Sequence, residues 1–98
     1  MLKKNYYENS DSCRVWFYLS AEVNAEKAAL VGDFNNWDEN ADPMKAKKDG
    51  TFYTAVTLEK GQSYQFRYLL DGERWENDWE ADDYVPNEMG LENSVVSV

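Results

Sequence analysis

Apolar and polar residues alternate with a period of two over several stretches of the chain, the first of them Cys13 to Leu19. That spacing puts Cys13, Val15, Phe17 and Leu19 on one face of a strand and Arg14, Trp16 and Tyr18 on the other. Lys27 to Val31 is a short apolar run stopped by Gly32, too short for a helix, and reads as a buried strand. Thr51 to Leu58 alternates again, with Phe52, Thr54, Val56 and Leu58 inward. After the turn residues Glu59 to Gly61, the run Ser63 to Asp71 places Tyr64, Phe66, Tyr68 and Leu70 on one face and Gln65, Arg67 and Leu69 on the other. The short turn between these two runs predicts an antiparallel hairpin. Asp71-Gly72 is a strong turn signal, after which Arg74 and Trp75 begin a short returning strand; Asn93 to Val98 is the terminal strand. Asp33 to Gly50 is rich in Asn, Asp, Pro, Lys and Gly and reads as a long structured loop, a kind often tied to function. Residues 1–11 are polar and expected to fray. Six or so short strands without a helical period argue an all-β sandwich.

Composition narrows this picture. Ninety-eight residues, 43% of them apolar, make one ordinary domain with no room for a second core. A single cysteine rules out a disulfide framework and suits a reducing cytosol. No apolar run approaches the roughly 18–20 residues that cross a bilayer, and Asn, Tyr, Tyr and Glu follow the first four residues where a signal core would lie. The expected location is cytoplasmic. The net charge of −9 repels phosphate backbones and makes nucleic acid or an anionic membrane an unfavourable partner. That charge is concentrated: residues 71–92 carry nine acids and only Arg74, a net of −8. The absence of histidine removes the commonest general base and metal ligand.

The chemistry that remains is aromatic. Four tryptophans and seven tyrosines exceed what a core this size needs, so some should be exposed. Phe34 and Trp37 lie in the long loop, and Trp75 and Trp79 in the acidic segment. An exposed indole beside amide and charged side chains suits a polyol: the C–H face of a pyranose stacks on the ring and polar side chains bond the hydroxyls. Trp37 is either such a platform or a lid over one end of the sandwich, and the same choice holds for Trp75. The surroundings of Trp79 assign it no face. Trp16 and Tyr18 point away from the core and are expected to be packed under the N-terminal arm. Arg67 reads as a surface ion pair or a ligand contact, and Asn93 as a turn cap. Asp78 to Asp82 has the spacing of calcium ligands, but Asp83 stands where such a loop needs glycine and Met89 where it needs glutamate. No metal site or cofactor is expected. A carboxylate pair for glycoside hydrolysis lacks a deep cleft, and Cys13 faces the core with no histidine to activate it. The chain is therefore expected not to be an enzyme.

The blocks Ala28 to Trp37, Pro43-Met44, Gly50 to Phe52, Leu58 to Gly61, Tyr64 to Gly72 with Trp75 and Asp78, and Gly90 to Val96 occur in an order that resembles the isoamylase N-terminal (early set) domain. That family is carbohydrate-binding module family 48, which includes the glycogen-binding domain of the AMP-activated protein kinase β subunit. The resemblance covers residues 13–98, behind a polar arm at 1–12. It implies an immunoglobulin-like β-sandwich of about six to eight antiparallel strands that binds α-1,4-linked glucans such as glycogen or starch. It also implies roles: Trp37 and Trp75 stack on sugar, Arg67 and Asn93 bond hydroxyls, and Met89 supplies an apolar contact. The chain departs from the family pattern where Trp79 replaces a common proline and where the stretch from Glu80 to Asn87 is longer and more acidic; this departure, with Trp79 as a further candidate sugar contact, either widens the platform or folds over it. The alternative is a module of the same fold that docks a separately encoded glucan-metabolising enzyme.

Overall fold

Ten strands form two antiparallel sheets in the computed structural model, which describes residues 1–98. They are β1 Leu2–Tyr6, β2 Ser12–Leu19, β3 Ala28–Gly32, β4 Asp42–Pro43, β5 Lys45–Ala46, β6 Phe52–Glu59, β7 Ser63–Leu70, β8 Arg74–Glu76, β9 Asp83–Pro86 and β10 Glu92–Ser97. One sheet runs β1-β2-β6-β5; the other runs β4-β3-β7-β10-β9, with β8 also pairing with β7. Face to face they make an immunoglobulin-like β-sandwich. The strand number exceeds the expected six to eight because the N-terminal stretch, the long loop and the acidic segment each add short strands.

The period-two faces meet in the core. Cys13, Val15, Phe17 and Leu19 of β2 are buried against Leu30, Phe66, Tyr68, Leu70 and Val96 of the other sheet. Phe17 meets Phe66 edge-on at 5.1 Å between ring centres, and Phe66 meets Tyr68 the same way at 5.7 Å. Such T-shaped contacts add to the burial of three large rings, and truncating Phe17 to alanine would cost about 3–5 kcal/mol.

Three expectations need correction. β6 and β7 do not form a hairpin, because they belong to different sheets. β6 pairs instead with β2, and β7 with β3 and β10, so that the two apolar faces meet across the core. The turn between them is drawn apart accordingly: Lys60 N–H donates to Asp11 O beside one sheet, and Gly61 N–H to Val98 O beside the other. The start of the chain does not fray, since Leu2 to Tyr6 pairs with β2 in the register Lys3 to Trp16. An edge strand needs only one partner, so its polar residues do not disqualify it. Phe34, grouped with the exposed aromatics, instead packs on Phe17 at 5.7 Å and Tyr64 at 6.2 Å and anchors its loop to the core. That loop also changes sheets within a few residues, β4 pairing with β3 and β5 with β6.

One charged group is enclosed. Asp78 is 1% exposed. Its carboxylate accepts from the Met1 amino group at 2.6 Å, from Tyr68 Oη at 2.7 Å and from Glu80 N–H at 2.8 Å. Its own N–H donates to Ser94 Oγ at 2.9 Å. These bonds satisfy an acid that would otherwise be costly to bury. Burial, and then the neighbouring Asp78 carboxylate, push the Tyr68 phenol well above its ordinary range. No helix is long and apolar enough to cross a membrane.

Candidate functional site

The outer face of the six-stranded sheet carries an open groove of about 540 Å³. Strand alternation supplies its floor. Phe66, Tyr68 and Leu70 turn inward, so Gln65, Arg67 and Leu69 turn outward, and the pairing of Leu69 with Trp75 puts Trp75 on the same outer face. Ser94 pairs with the inward Phe66, which sends Asn93 outward.

Trp37 reaches the groove through a tightly specified turn. Gly32 approaches β7 so closely that a Cβ there would lie 2.6 Å from Gln65 O and 2.8 Å from Phe66 Cβ. Asn35 fastens the loop, its Oδ1 accepting from Gly32 N–H and its Nδ2 donating to Leu30 O and to Asp42. Asn36 and Trp37 both take the left-handed conformation, at φ 58° and 56°. That is ordinary for asparagine and strained for tryptophan, and it throws the indole sideways onto the sheet. Asp33 holds it there: one carboxylate oxygen accepts from Trp37 Nε1 at 2.9 Å and the other from Gln65 N–H at 2.8 Å.

Arg67 lies with its guanidinium carbon 4.8 Å from the centre of the Trp75 ring. It forms no ion pair, although the chain holds nineteen acids. Its Nε is buried without a hydrogen-bond partner. A cation stacked on an indole, with its donors uncommitted, can bond ligand oxygens beside an aromatic platform.

The far wall comes from the acidic segment, which is more ordered than its composition suggests. β9 pairs with β10, and Asn87 to Leu91 is the hairpin tip between them, closed by Asn87 N–H to Leu91 O at 2.7 Å. Met89 stands on that tip, 80% exposed. The segment's carboxylates are dispersed and form no cluster that would hold a metal ion.

Of the six residues singled out in the sequence, Trp37, Arg67, Met89 and Asn93 line this one groove. Trp75 adjoins it through Arg67. Trp79 does not share it: its indole, 54% exposed, borders a separate cavity of about 250 Å³ with Tyr18, Ser20 and Thr51, round the corner on the side of the other sheet. Asn93 does not act as a simple turn cap; it is buried and bonded to the side chains of Asn87 and Gln65. Gln65, Pro86, Asn87, Glu88 and Asp33 complete the lining and were not singled out. Gln65 was within reach of the alternation, two positions from Arg67 on the same face. The Asn87 to Gly90 spacing is a turn signal that could have marked the hairpin tip.

Comparison with known proteins identifies the family. The model of carbohydrate-binding module 48 (isoamylase N-terminal domain) matches residues 5–85. The chain is 32% identical over 70 residues to a 1,4-alpha-glucan branching enzyme of Butyrivibrio fibrisolvens, covering 71% of this chain and 11% of that enzyme. It is 41% identical over 63 residues to one from Lactobacillus acidophilus, covering 62% of this chain and 9% of the enzyme. It is 50% identical over 44 residues to one from Emericella nidulans, covering 45% and 6%. The chain thus spans about a tenth or less of these curated relatives. With the family model matching more than half its length, the chain belongs to the carbohydrate-binding module 48 (isoamylase N-terminal domain) family.

Proposed function

We propose that the groove binds α-1,4-linked glucan, such as glycogen, starch or maltooligosaccharide, without catalysing its conversion. The observation that carries this reading is the gathering of Trp37, Arg67, Met89 and Asn93 around one groove, with Arg67 stacked on Trp75 and free of any ion pair. Trp37 and Trp75 present indole faces to pyranose rings, while Arg67 and Asn93 bond hydroxyls. A neutral ligand feels no repulsion from the acidic segment beside the groove. Trp79 serves a longer glucan as an outlying contact. Cys13, a buried thiol without a disulfide partner, supports a reducing, cytoplasmic setting.

An open groove engaging two or three glucose units should bind with a Kd of about 10 µM to 1 mM, or about −4 to −7 kcal/mol. Titration with maltoheptaose, followed by calorimetry or by the tryptophan indole signals in NMR, tests this. A saturable shift of the Trp37 and Trp75 indoles is expected; none at millimolar sugar would overturn the reading. Turnover of maltooligosaccharide by the purified chain would overturn its non-catalytic part.

A further inference from the structure

Three amide side chains along the groove form a relay whose direction is fixed from one end. Asn87 Oδ1 accepts from two backbone donors, Met89 N–H at 3.0 Å and Leu91 N–H at 3.1 Å. Its carbonyl arm cannot turn away without stranding both, so its Nδ2 must face Asn93. There it donates to Asn93 Oδ1 at 3.3 Å. With its oxygen so engaged, Asn93 directs Nδ2 to Gln65 Oε1 at 3.0 Å. The arm of Gln65 that remains is Nε2, which has no bond within the chain. It is not sealed off either, because Arg67 Nε is the one buried side-chain nitrogen or oxygen without a partner. Reversing Gln65 would set its Nε2 against the Asn93 Nδ2, donor against donor.

We infer that Gln65 Nε2 is a direct donor to a glucan hydroxyl and that Asn87, acting through Asn93, is the residue that positions it. This deepens the glucan-binding reading and rests on it. Gln65 and Arg67 are successive outward positions on β7, so the relay puts an amide donor beside the guanidinium on the groove floor. The carboxylate beside Gln65 on β7 is already committed, since both Asp33 oxygens accept from the chain itself. The groove therefore presents donors along β7, and sugar oxygens act there as acceptors.

Two isosteric variants separate the roles. Gln65→Glu removes the donor and keeps an oxygen for Asn93. Asn87→Asp keeps the oxygen that accepts from Met89 and Leu91 but turns an oxygen toward Asn93, which must then reverse, and Gln65 with it, presenting Oε1 to the groove. Each should weaken maltoheptaose binding about threefold to tenfold, the range expected for one lost hydrogen bond. The double variant should be no weaker than either single variant, because both act through the same donor. In the wild-type chain, the Gln65 side-chain NH₂ signal in NMR should shift as sugar saturates, a readout that needs no variant to fold. Unchanged affinity for Gln65→Glu, additive losses in the double variant, or an unmoved Gln65 signal would each overturn the inference. If Trp37→Ala weakens binding while Gln65→Glu does not, the relay fails and the glucan reading stands; a wild-type chain with no saturable binding removes both.

Discussion

Each outer face of the sandwich sets cations over aromatic rings, but the two faces surround those pairs differently. On the six-stranded sheet, Arg67 lies 4.8 Å from the Trp75 ring, beside the amides of Gln65, Asn87 and Asn93 at a groove. On the four-stranded sheet, Arg14 lies 5.2 Å from the Trp16 ring, and Lys47 lies 5.3 Å from Tyr18 and 5.8 Å from Tyr53. The register adds Lys3 beside Trp16 and Lys45 beside Tyr53. Those rings are half-buried under flexible ammonium and guanidinium groups, whereas Trp75 is 40% exposed. Cation and indole are common to both faces, so they do not by themselves make a sugar site. Converging neutral amides distinguish the first face, and these are the groups that orient a polyol.

The largest expected effect breaks the first face alone. Trp37→Ala and Trp75→Ala should each weaken maltoheptaose binding by about 2 kcal/mol, or about thirtyfold, and the double variant should show no measurable binding. Trp16→Ala, on the other face, should leave the Kd within about twofold of the wild type. If Trp16→Ala costs as much as Trp75→Ala in the same titration, the distinction between the faces is wrong. Arg67→Ala comes next, at about 1.5 kcal/mol, the low end for charge-assisted donors because its Nε is buried away from a ligand. Arg14→Ala should change affinity by less than about twofold, and calorimetry of the pair reads the contrast directly.

Much of the first face was legible because it follows from alternation. Burying Phe66, Tyr68 and Leu70 forces Gln65, Arg67 and Leu69 outward, and the Asp71-Gly72 turn returns the chain so that Trp75 pairs with Leu69. What stayed hidden depended on partners distant in sequence. The same short turn serves a hairpin or a crossing between sheets, and only the assembled core puts β6 and β7 in different layers. Whether Arg67 finds an acid is likewise decided by the whole fold. The placement of Trp79 hinges on Asp78, which is drawn into the sandwich by Tyr68, Ser94 and the Met1 amino group and leaves the next residue beside Tyr18 and Thr51, away from the groove. The amide relay joins residues 65, 87 and 93, and no local signal pairs them.

A smaller effect tests whether the two faces are independent. Tyr68, from the six-stranded sheet, donates to Asp78, which in turn holds the Met1 amino group beside β2. Tyr68→Phe should lower the unfolding free energy by about 1–2 kcal/mol in urea titration, with maltoheptaose affinity unchanged. The wild-type chain should also lose stability in strong alkali. Burial raises the folded Tyr68 pKa well above the ordinary tyrosine range, so the folded state holds this proton more tightly than the unfolded one. The contribution is complete below the unfolded pKa, declines as pH rises past it toward the folded value, and should be missing in Tyr68→Phe. Equal alkaline limbs for the two proteins would show that Tyr68 does not couple the sheets.

The smallest expected effect concerns the turn that delivers Trp75 to its face. Asp71 sits in the left-handed conformation at φ 53°, and its carboxylate accepts from Glu26 N–H at 2.9 Å and Lys27 N–H at 3.0 Å. Its own N–H donates to Lys27 O, so the turn is clamped to the start of β3. The hydrogen bonds from Lys27 and then Glu26 hold the Asp71 carboxyl below the ordinary aspartate value. A depressed folded pKa gives stability that is present above the unfolded value and lost as pH falls through the folded one. Asn tolerates the same backbone conformation and keeps one oxygen acceptor, so Asp71→Asn should fold, stay slightly less stable at pH 7 and show a flatter acid limb below about pH 4. Some acid sensitivity should persist, because Asp49 is also lowered by its hydrogen bonds with Thr51. Affinity for maltoheptaose should change by less than about twofold, since Leu69 still pairs with Trp75. An acid limb identical to the wild type would mean that backbone pairing alone sets this turn, whereas a large loss of affinity would make the clamp itself part of what holds Trp75 in place.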